Sequence, residues 1–151
     1  MTGLNSEIAS SGLGHRFITF LVAIVDPKVN EITITNAGHL PPLLSNSKGE
    51  IRELAKDVAG MPMGIVRDQE FRQAKLPFLR GDILTLFTDG VTEAMNSQNE
   101  IYGKNRLSQF LSKGPPSADA VIEGIVADVD KFCEGRAQRD DMCLVCIKRC
   151  E

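Results

Sequence analysis

The 151-residue sequence has no excess of positive charge, no long apolar segment and no histidine close to its cysteines. It carries 17 Lys and Arg against 20 Asp and Glu, a net charge of -3, which argues against a nucleic-acid-binding surface. No window approaches the apolar length of a membrane-spanning helix, and the first residues lack the basic and apolar regions of a signal peptide. We therefore expect a cytoplasmic protein, or part of one, that binds neither nucleic acid nor membrane.

The cysteines include one C-x-x-C pair, which invites a zinc or redox interpretation; they are Cys133, Cys143, Cys146 and Cys150. In a strand, residues three apart point to opposite faces, so Cys143 and Cys146 cannot bind one ion together. No histidine lies nearby to complete a metal site. We predict that these thiols are buried, reduced and structural.

The remaining composition, 42% hydrophobic and 25% charged, is that of one globular domain. Apolar and alternating runs predict strands at 17–25, 31–36, 43–44, 51–54, 71–78, 83–88 and 142–148. Helical spacing predicts a helix at 105–111 and a longer one after Pro116, with Ser117 as its N-cap. We expect an α+β domain at 17–151, preceded by a poorly defined segment at 1–16 that could be the remnant of a helix.

The chain is organised around residues 81–96, GDILTLFTDGVTEAMN. Residues 83–88 are apolar or β-branched on both alternations, which predicts a strand buried on both faces. This strand delivers Asp89 to its end, Gly90 follows where a turn can form, and residues 91–95 predict the first turns of a helix. A carboxylate in this position either caps the turn or holds a metal ion.

A second acidic pair, Asp140 and Asp141, immediately precedes the last predicted strand, which we expect to be buried. If this strand and the strand at 83–88 are antiparallel neighbours, their carboxylates converge. Such hard oxygen ligands suit Mg²⁺ or Mn²⁺, and two ions about 4 Å apart would activate water to attack a phosphorus centre. The alternative is that Asp140 and Asp141 only terminate a loop.

Several motifs occur in one order along the chain: NAGH followed by Pro41-Pro42, GMPMG at 60–64, Gly81-Asp82 leading into TDGVTEAMN, Tyr102-Gly103 with Arg106-Leu107, and RDDMCLVCIK. Together they resemble the C-terminal part of a PPM-type, metal-dependent serine/threonine phosphatase of the SpoIIE-like branch. The resemblance implies a β-sandwich of two antiparallel sheets flanked by helices, here incomplete at the N-terminus. It also implies hydrolysis of phosphoserine or phosphothreonine by metal-activated water at a two-metal Mn²⁺ or Mg²⁺ centre.

Within that resemblance, Asp89 and Asp140 fall on metal ligands of the family, and no catalytic residue is expected beyond the ligands. Asp141 is a weaker candidate, since some relatives have asparagine there. Gly90 would let the backbone turn beside the site.

Three further residues, which could lie near the predicted metal ligands, each have two interpretations. Glu93 is a possible site residue, although an acid at a helix start is more often solvated and favoured by the helix dipole. His39 could be a general acid or a structural loop residue. Arg139 could hold a phosphate or form an exposed salt bridge.

One departure from the family pattern matters most. The sequence has no G-D-x-x-D motif, whose aspartate bridges the two metals, and Asp26, its first aspartate, sits in a predicted hairpin turn. We therefore expect the chain alone to be a weak or inactive phosphatase. It could be part of a longer enzyme with an upstream regulatory domain, acting on a phosphorylated protein such as an anti-sigma-factor antagonist. It could instead be an inactive, partner-binding module; a carboxylate-metal nuclease is disfavoured by the negative charge.

Overall fold

The fold was analysed in a computed structural model that describes residues 1–11 and 16–150. Four α-helices and seven strands are present in these residues, together with a 3₁₀ turn at Lys56–Val58. In chain order they are α1 (Thr2–Ser10), β1 (Phe20–Asp26), β2 (Glu31–Ala37), β3 (Leu43–Ser45), β4 (Ile51–Glu53), β5 (Gln73–Pro77), β6 (Ile83–Phe87), α2 (Asp89–Thr92), α3 (Gly103–Leu111), α4 (Ala118–Cys133) and β7 (Leu144–Lys148). The predicted α+β class with two antiparallel sheets is confirmed.

The chain divides into two compact units. Unit 1 comprises Met1–Pro41 and Leu54–Phe78 and contains a three-stranded antiparallel sheet in the order β1-β2-β5. The predicted hairpin is present, because β1 and β2 pair from Phe20 with Ala37 to Asp26 with Glu31. The proposed boundary at residue 16 stays a prediction; Thr2–Ser10 is helical, whereas Leu13 and Gly14 of that segment, and Glu151 at the end of the domain, lie outside the described residues.

Two of the sequence motifs meet inside unit 1. The Asn36 side chain accepts a hydrogen bond from the His39 amide and donates one to the His39 carbonyl, which closes the NAGH loop. Gly38 has φ +72°, and a Cβ there would lie 2.5 Å from Pro62 of the GMPMG motif. The Asn36 carbonyl also accepts a bond from the Gly60 amide. These motifs therefore hold two loops of unit 1 together.

Unit 2 comprises Pro42–Glu53 and Leu79–Glu151 and contains a four-stranded antiparallel sheet in the order β4-β3-β6-β7. The interior strand β6 is buried on both alternations, as its sequence predicts. The turn before β6 is held by Asp82, which is buried and accepts a hydrogen bond from the Leu79 amide. The polar residue of the Gly81-Asp82 motif therefore belongs to the scaffold.

The long helix α4 packs against β7. Its N-cap is Ser117, as predicted, because the Ser117 side chain accepts a hydrogen bond from the Ala120 amide. Its buried face consists of residues at helical spacing, Val121, Ile125 and Val129. The helix ends at Cys133, and its C-cap Glu134 has a left-handed backbone with φ 52°, followed by Gly135 with φ 81°.

The expectation that the last strand is buried is wrong. Strand β7 is an edge strand of its sheet, and Val145 is 47% exposed. The apolar run MCLVCIK looks like a buried strand because its length and composition do not distinguish an edge from an interior position.

Candidate functional site

The two acidic segments of unit 2 lie at the same end of the β6–β7 pair. Strands β6 and β7 are antiparallel, and Phe87 pairs with Leu144. One residue further, the Thr88 amide donates to the Cys143 carbonyl at 3.1 Å. Asp89 follows this last rung, and Asp140 and Asp141 precede it by two or three residues. The antiparallel pairing on which the predicted convergence depended is therefore present.

Thr88 fastens the acidic loop to the end of β6. Its hydroxyl accepts a hydrogen bond from the Cys143 amide at 2.9 Å and donates one to the Asp141 carbonyl at 2.9 Å. The sequence analysis did not identify Thr88 as part of the site. The sequence feature that could have indicated its role is its position at the end of a buried strand, directly before the candidate ligand Asp89.

Gly90 lies where there is no room for a side chain. A Cβ on Gly90 would lie 2.4 Å from the Asp141 carbonyl oxygen and 3.2 Å from that of Asp140. Its φ lies outside the left-handed region, so the predicted turn at Gly90 needs no special backbone conformation. The glycine instead permits the backbone of residues 140–141 to lie directly against α2.

The carboxylates of Asp89 and Asp140 each accept a hydrogen bond from the backbone amide of the next residue. Asp89 Oδ1 accepts a bond from the Gly90 amide at 3.1 Å, and Asp140 Oδ1 accepts one from the Asp141 amide at 2.8 Å. All three aspartates are exposed, so oxygen lone pairs remain open to a cation. Their roles as ligands stay predictions.

The chemistry of this donor set fits Mg²⁺ or Mn²⁺. Magnesium keeps several waters and binds through one or two carboxylates plus substrate phosphates, which Asp89 and Asp140 could provide. Within residues 1–11 and 16–150, no group of three or more His, Cys, Asp or Glu side chains is placed to hold a metal ion. Two exposed carboxylates of this kind fit a partly hydrated ion.

The prediction that Glu93 lies in the first turns of a helix is wrong. Helix α2 ends at Thr92, and Glu93 is its C-cap. The carboxylate thus follows the C-terminal end of a one-turn helix, where the dipole does not favour negative charge. Glu93 is exposed and lines a cavity together with Asp140.

His39 belongs to unit 1, whereas Asp89 and Asp140 belong to unit 2. Its backbone is held on both sides by Asn36, as described above. A structural loop role is consistent with these contacts and stays a prediction.

Arg139 and Asp140 line a cavity of about 370 Å³ in unit 2. The other walls come from α2 and its following loop, from the end of α4 and from the segment between α4 and β7: Gly90, Glu93, Ala94, Met95, Val129, Asp130, Cys133, Arg136, Ala137, Gln138 and Met142. The Arg139 guanidinium donates to the Met95 sulfur at 3.5 Å. Neither Met95 nor Met142 was singled out from the sequence.

The expectation of buried thiols is wrong for Cys143 and Cys150, which are exposed, and Cys133 and Cys146 are only half-buried. All four are free, in agreement with the predicted reduced state. Burial raises the pKa of both half-buried thiols above the ordinary value. The apolar run around Cys143 and Cys146 resembled a core strand, but it lies at a sheet edge.

The sequence model of the family described as Stage II sporulation protein E (SpoIIE) matches residues 1–150. The chain belongs to the SpoIIE family. Among curated proteins it is similar to Protein IcfG of Synechocystis sp., with 27% identity over 133 residues, covering 88% of this chain and 21% of that protein. It is also similar to the phosphoserine phosphatase RsbU of Bacillus subtilis, with 24% identity over 151 residues, covering 99% of this chain and 44% of RsbU. This SpoIIE-family chain therefore spans less than half the length of those relatives.

Solved structures show the same fold. The SiaA-PP2C domain of Pseudomonas aeruginosa matches with a TM-score of 0.79 and 21% identity, covering 97% of this chain and 58% of that one. The SpoIIE phosphatase domain of Bacillus subtilis, in a Mn-presoaked crystal, matches with a TM-score of 0.68 and 14% identity, covering 98% and 72%. Both likenesses confirm the predicted PPM-type fold. Among the described residues, no helix combines the length and apolar character needed to cross a bilayer.

Proposed function

We propose that this SpoIIE-family chain is part of a metal-dependent phosphatase that hydrolyses phosphoserine or phosphothreonine in a protein. The observation that carries the proposal is the β6–β7 pairing, which brings the segments of Asp89 and Asp140 to one sheet end. The similarity to two phosphoserine phosphatases of Bacillus subtilis supports it: RsbU, described above, and RsbP, which is 26% identical over 145 residues.

In this proposal each residue at the sheet end has a distinct task. Asp89 and Asp140 bind the cation, and Asp141 contributes less. Thr88 and Gly90 fix the distance between the two acidic segments through the contacts described above. The chemistry that Mg²⁺ or Mn²⁺ supplies when bound is polarisation of a phosphoryl oxygen and activation of water.

The proposed substrate is a phosphorylated bacterial signalling protein, with an anti-sigma-factor antagonist as the specific candidate. The chain covers 44% of RsbU and 34% of RsbP, which leaves room in such proteins for a regulatory domain. We propose that the chain acts in the cytoplasm, together with this proposed substrate.

The test is Asp89→Asn in the full-length protein, assayed with Mn²⁺ on p-nitrophenyl phosphate and on a phosphoserine protein. Removing one ligand charge should lower turnover by about 100-fold or more, beyond the usual effect of an outer-shell change. Asp119→Asn is the charge-matched control, because Asp119 is exposed in the first turn of α4. Wild-type turnover in Asp89→Asn would refute the ligand role, and an inactive wild-type protein would refute the phosphatase.

One observation favours the alternative, an inactive module that binds a partner. Large apolar side chains are exposed on or beside the edge strand β1, namely Phe17 (58%), Ile18 (41%), Phe20 (37%) and Ile24 (59%). Within the described residues β1 pairs only with β2, so its other edge is open to a further strand. Partner binding by a full-length protein without any metal-dependent hydrolysis would favour this alternative.

A further inference from the structure

The cavity beside Asp140 is large enough to receive a phosphorylated side chain. Its volume of about 370 Å³ lies within the range of small-molecule sites. Gly90 and Asp140 form the wall shared with the candidate metal centre. Met95, Val129 and Met142 supply apolar surface. A phosphate bound at Asp140 through a cation would therefore place the rest of its residue against this surface.

The two arginines of the cavity differ in their hydrogen bonding. Arg136 donates from Nη1 to the Asn96 carbonyl and to Asn99 Oδ1, which ties it to the turn after α2. Arg139 is exposed and donates from Nη1 to Met95 Sδ. A thioether is a weak acceptor, so the Arg139 guanidinium retains donors for a stronger partner.

We propose that Arg139 positions the substrate by binding its phosphate, an inference that rests on the proposed phosphatase function. The guanidinium presents parallel N–H donors that match two oxygens of a phosphate. Arg139 directly precedes Asp140 and both line the cavity, so a phosphate bound by this guanidinium would lie beside a residue that would hold the cation. The weak Met95 contact is exchanged for charge-assisted hydrogen bonds.

The other charges of the cavity determine when phosphate binds. Glu93, Asp130 and Asp140 also line it, against Arg136 and Arg139. Because the carboxylates outnumber the arginines, a phosphate dianion is repelled until a divalent cation offsets them. Phosphate affinity should therefore require both Mn²⁺ and Arg139.

The experiment measures binding of inorganic phosphate by calorimetry, with and without Mn²⁺, in full-length protein. Arg139→Met should weaken phosphate binding by about 10- to 100-fold, the range expected for a charge-assisted hydrogen bond. Arg139→Lys, which keeps the charge without the fork, should fall between Arg139→Met and the wild type. The control is Arg52→Met, because Arg52 is exposed on β4, at the opposite edge of the sheet from β7.

Phosphate binding should be unchanged in Arg52→Met, and Mn²⁺ affinity should be unchanged in all variants. For a phosphoserine peptide, Arg139→Met should raise KM more than it lowers kcat. Wild-type phosphate affinity in Arg139→Met, an equal loss in Arg52→Met, or a parallel loss of Mn²⁺ affinity would each overturn the inference. Arg139-dependent phosphate binding without any hydrolysis by the wild-type protein would support the phosphate site and refute the phosphatase.

Discussion

Gly90→Ala tests whether backbone contact between α2 and the acidic loop builds the site. The new methyl group would lie 2.4 Å from the Asp141 carbonyl oxygen, and both groups belong to the main chain of packed segments. The oxygen must retreat by about 1 Å to reach an ordinary van der Waals separation. The same oxygen accepts the Thr88 hydroxyl at 2.9 Å, so that hydrogen bond would also be stretched or lost.

The expected cost is about 2–3 kcal/mol, combining overpacking with one hydrogen bond and allowing for the better helix propensity of alanine. In a domain of this size, that corresponds to a melting temperature lower by about 5–10 °C. Because the Asp140–Asp141 segment moves relative to Asp89, we also expect Mn²⁺ affinity to fall by at least about 10-fold. Thermal melting followed by circular dichroism and calorimetric titration with Mn²⁺ measure the two effects.

Gly124→Ala is the matched control within unit 2. A Cβ at Gly124 would also be too close to another group, 2.2 Å from the Phe110 ring, but that neighbour is a half-buried side chain that can turn away. This variant should change stability modestly and leave Mn²⁺ affinity unaltered. If Gly90→Ala has the melting temperature and Mn²⁺ affinity of the wild type, the backbone contact does not build the site.

Two further predictions concern the strands that carry the site. Thr88→Val removes the hydroxyl that accepts from the Cys143 amide and donates to the Asp141 carbonyl. We expect the free energy of unfolding, measured in urea, to fall by about 1–3 kcal/mol and Mn²⁺ binding to weaken. Unchanged Mn²⁺ binding would contradict this role of Thr88. Burial raises the pKa of Cys146 despite its hydrogen bond to Thr85, so the unfolded chain loses this proton first as pH rises. The free energy of unfolding should therefore decrease above about pH 8.5, and Cys146→Ala should lessen that decrease; an identical pH dependence would contradict the assignment.

The strongest sequence patterns predicted elements correctly where local chemistry decides them. Strand β6 has apolar residues on both alternations, and α4 combines a serine cap with helical spacing, so each pattern has one structural solution. The predicted convergence of the carboxylates required β6 and β7 to be antiparallel neighbours, and the structure confirms this pairing. The likeness to phosphatases rested on the order of several motifs, two of which serve the scaffold through Asn36 and Asp82.

The details of the site could not be read from local patterns because distant main-chain atoms define them. The carbonyl that Thr88 binds is 53 residues away, and the group that excludes a side chain at Gly90 belongs to the same distant loop. Glu93 was misplaced because helix α2 stops after four residues, and no glycine or proline marks its end. Apolar composition likewise could not show that β7 lies at an edge.

If Asp89 and Asp140 bind one cation, as proposed, the edge position of β7 also couples cation binding to the docking of this strand. Asp89 continues from an interior strand, whereas Asp140 enters a strand with only one neighbour in its sheet. Any fraying at Leu144 separates the two aspartates, so an ion that binds both must suppress the open form by its own binding free energy. Amide hydrogen exchange along Leu144–Lys148 would then slow as divalent cation is added.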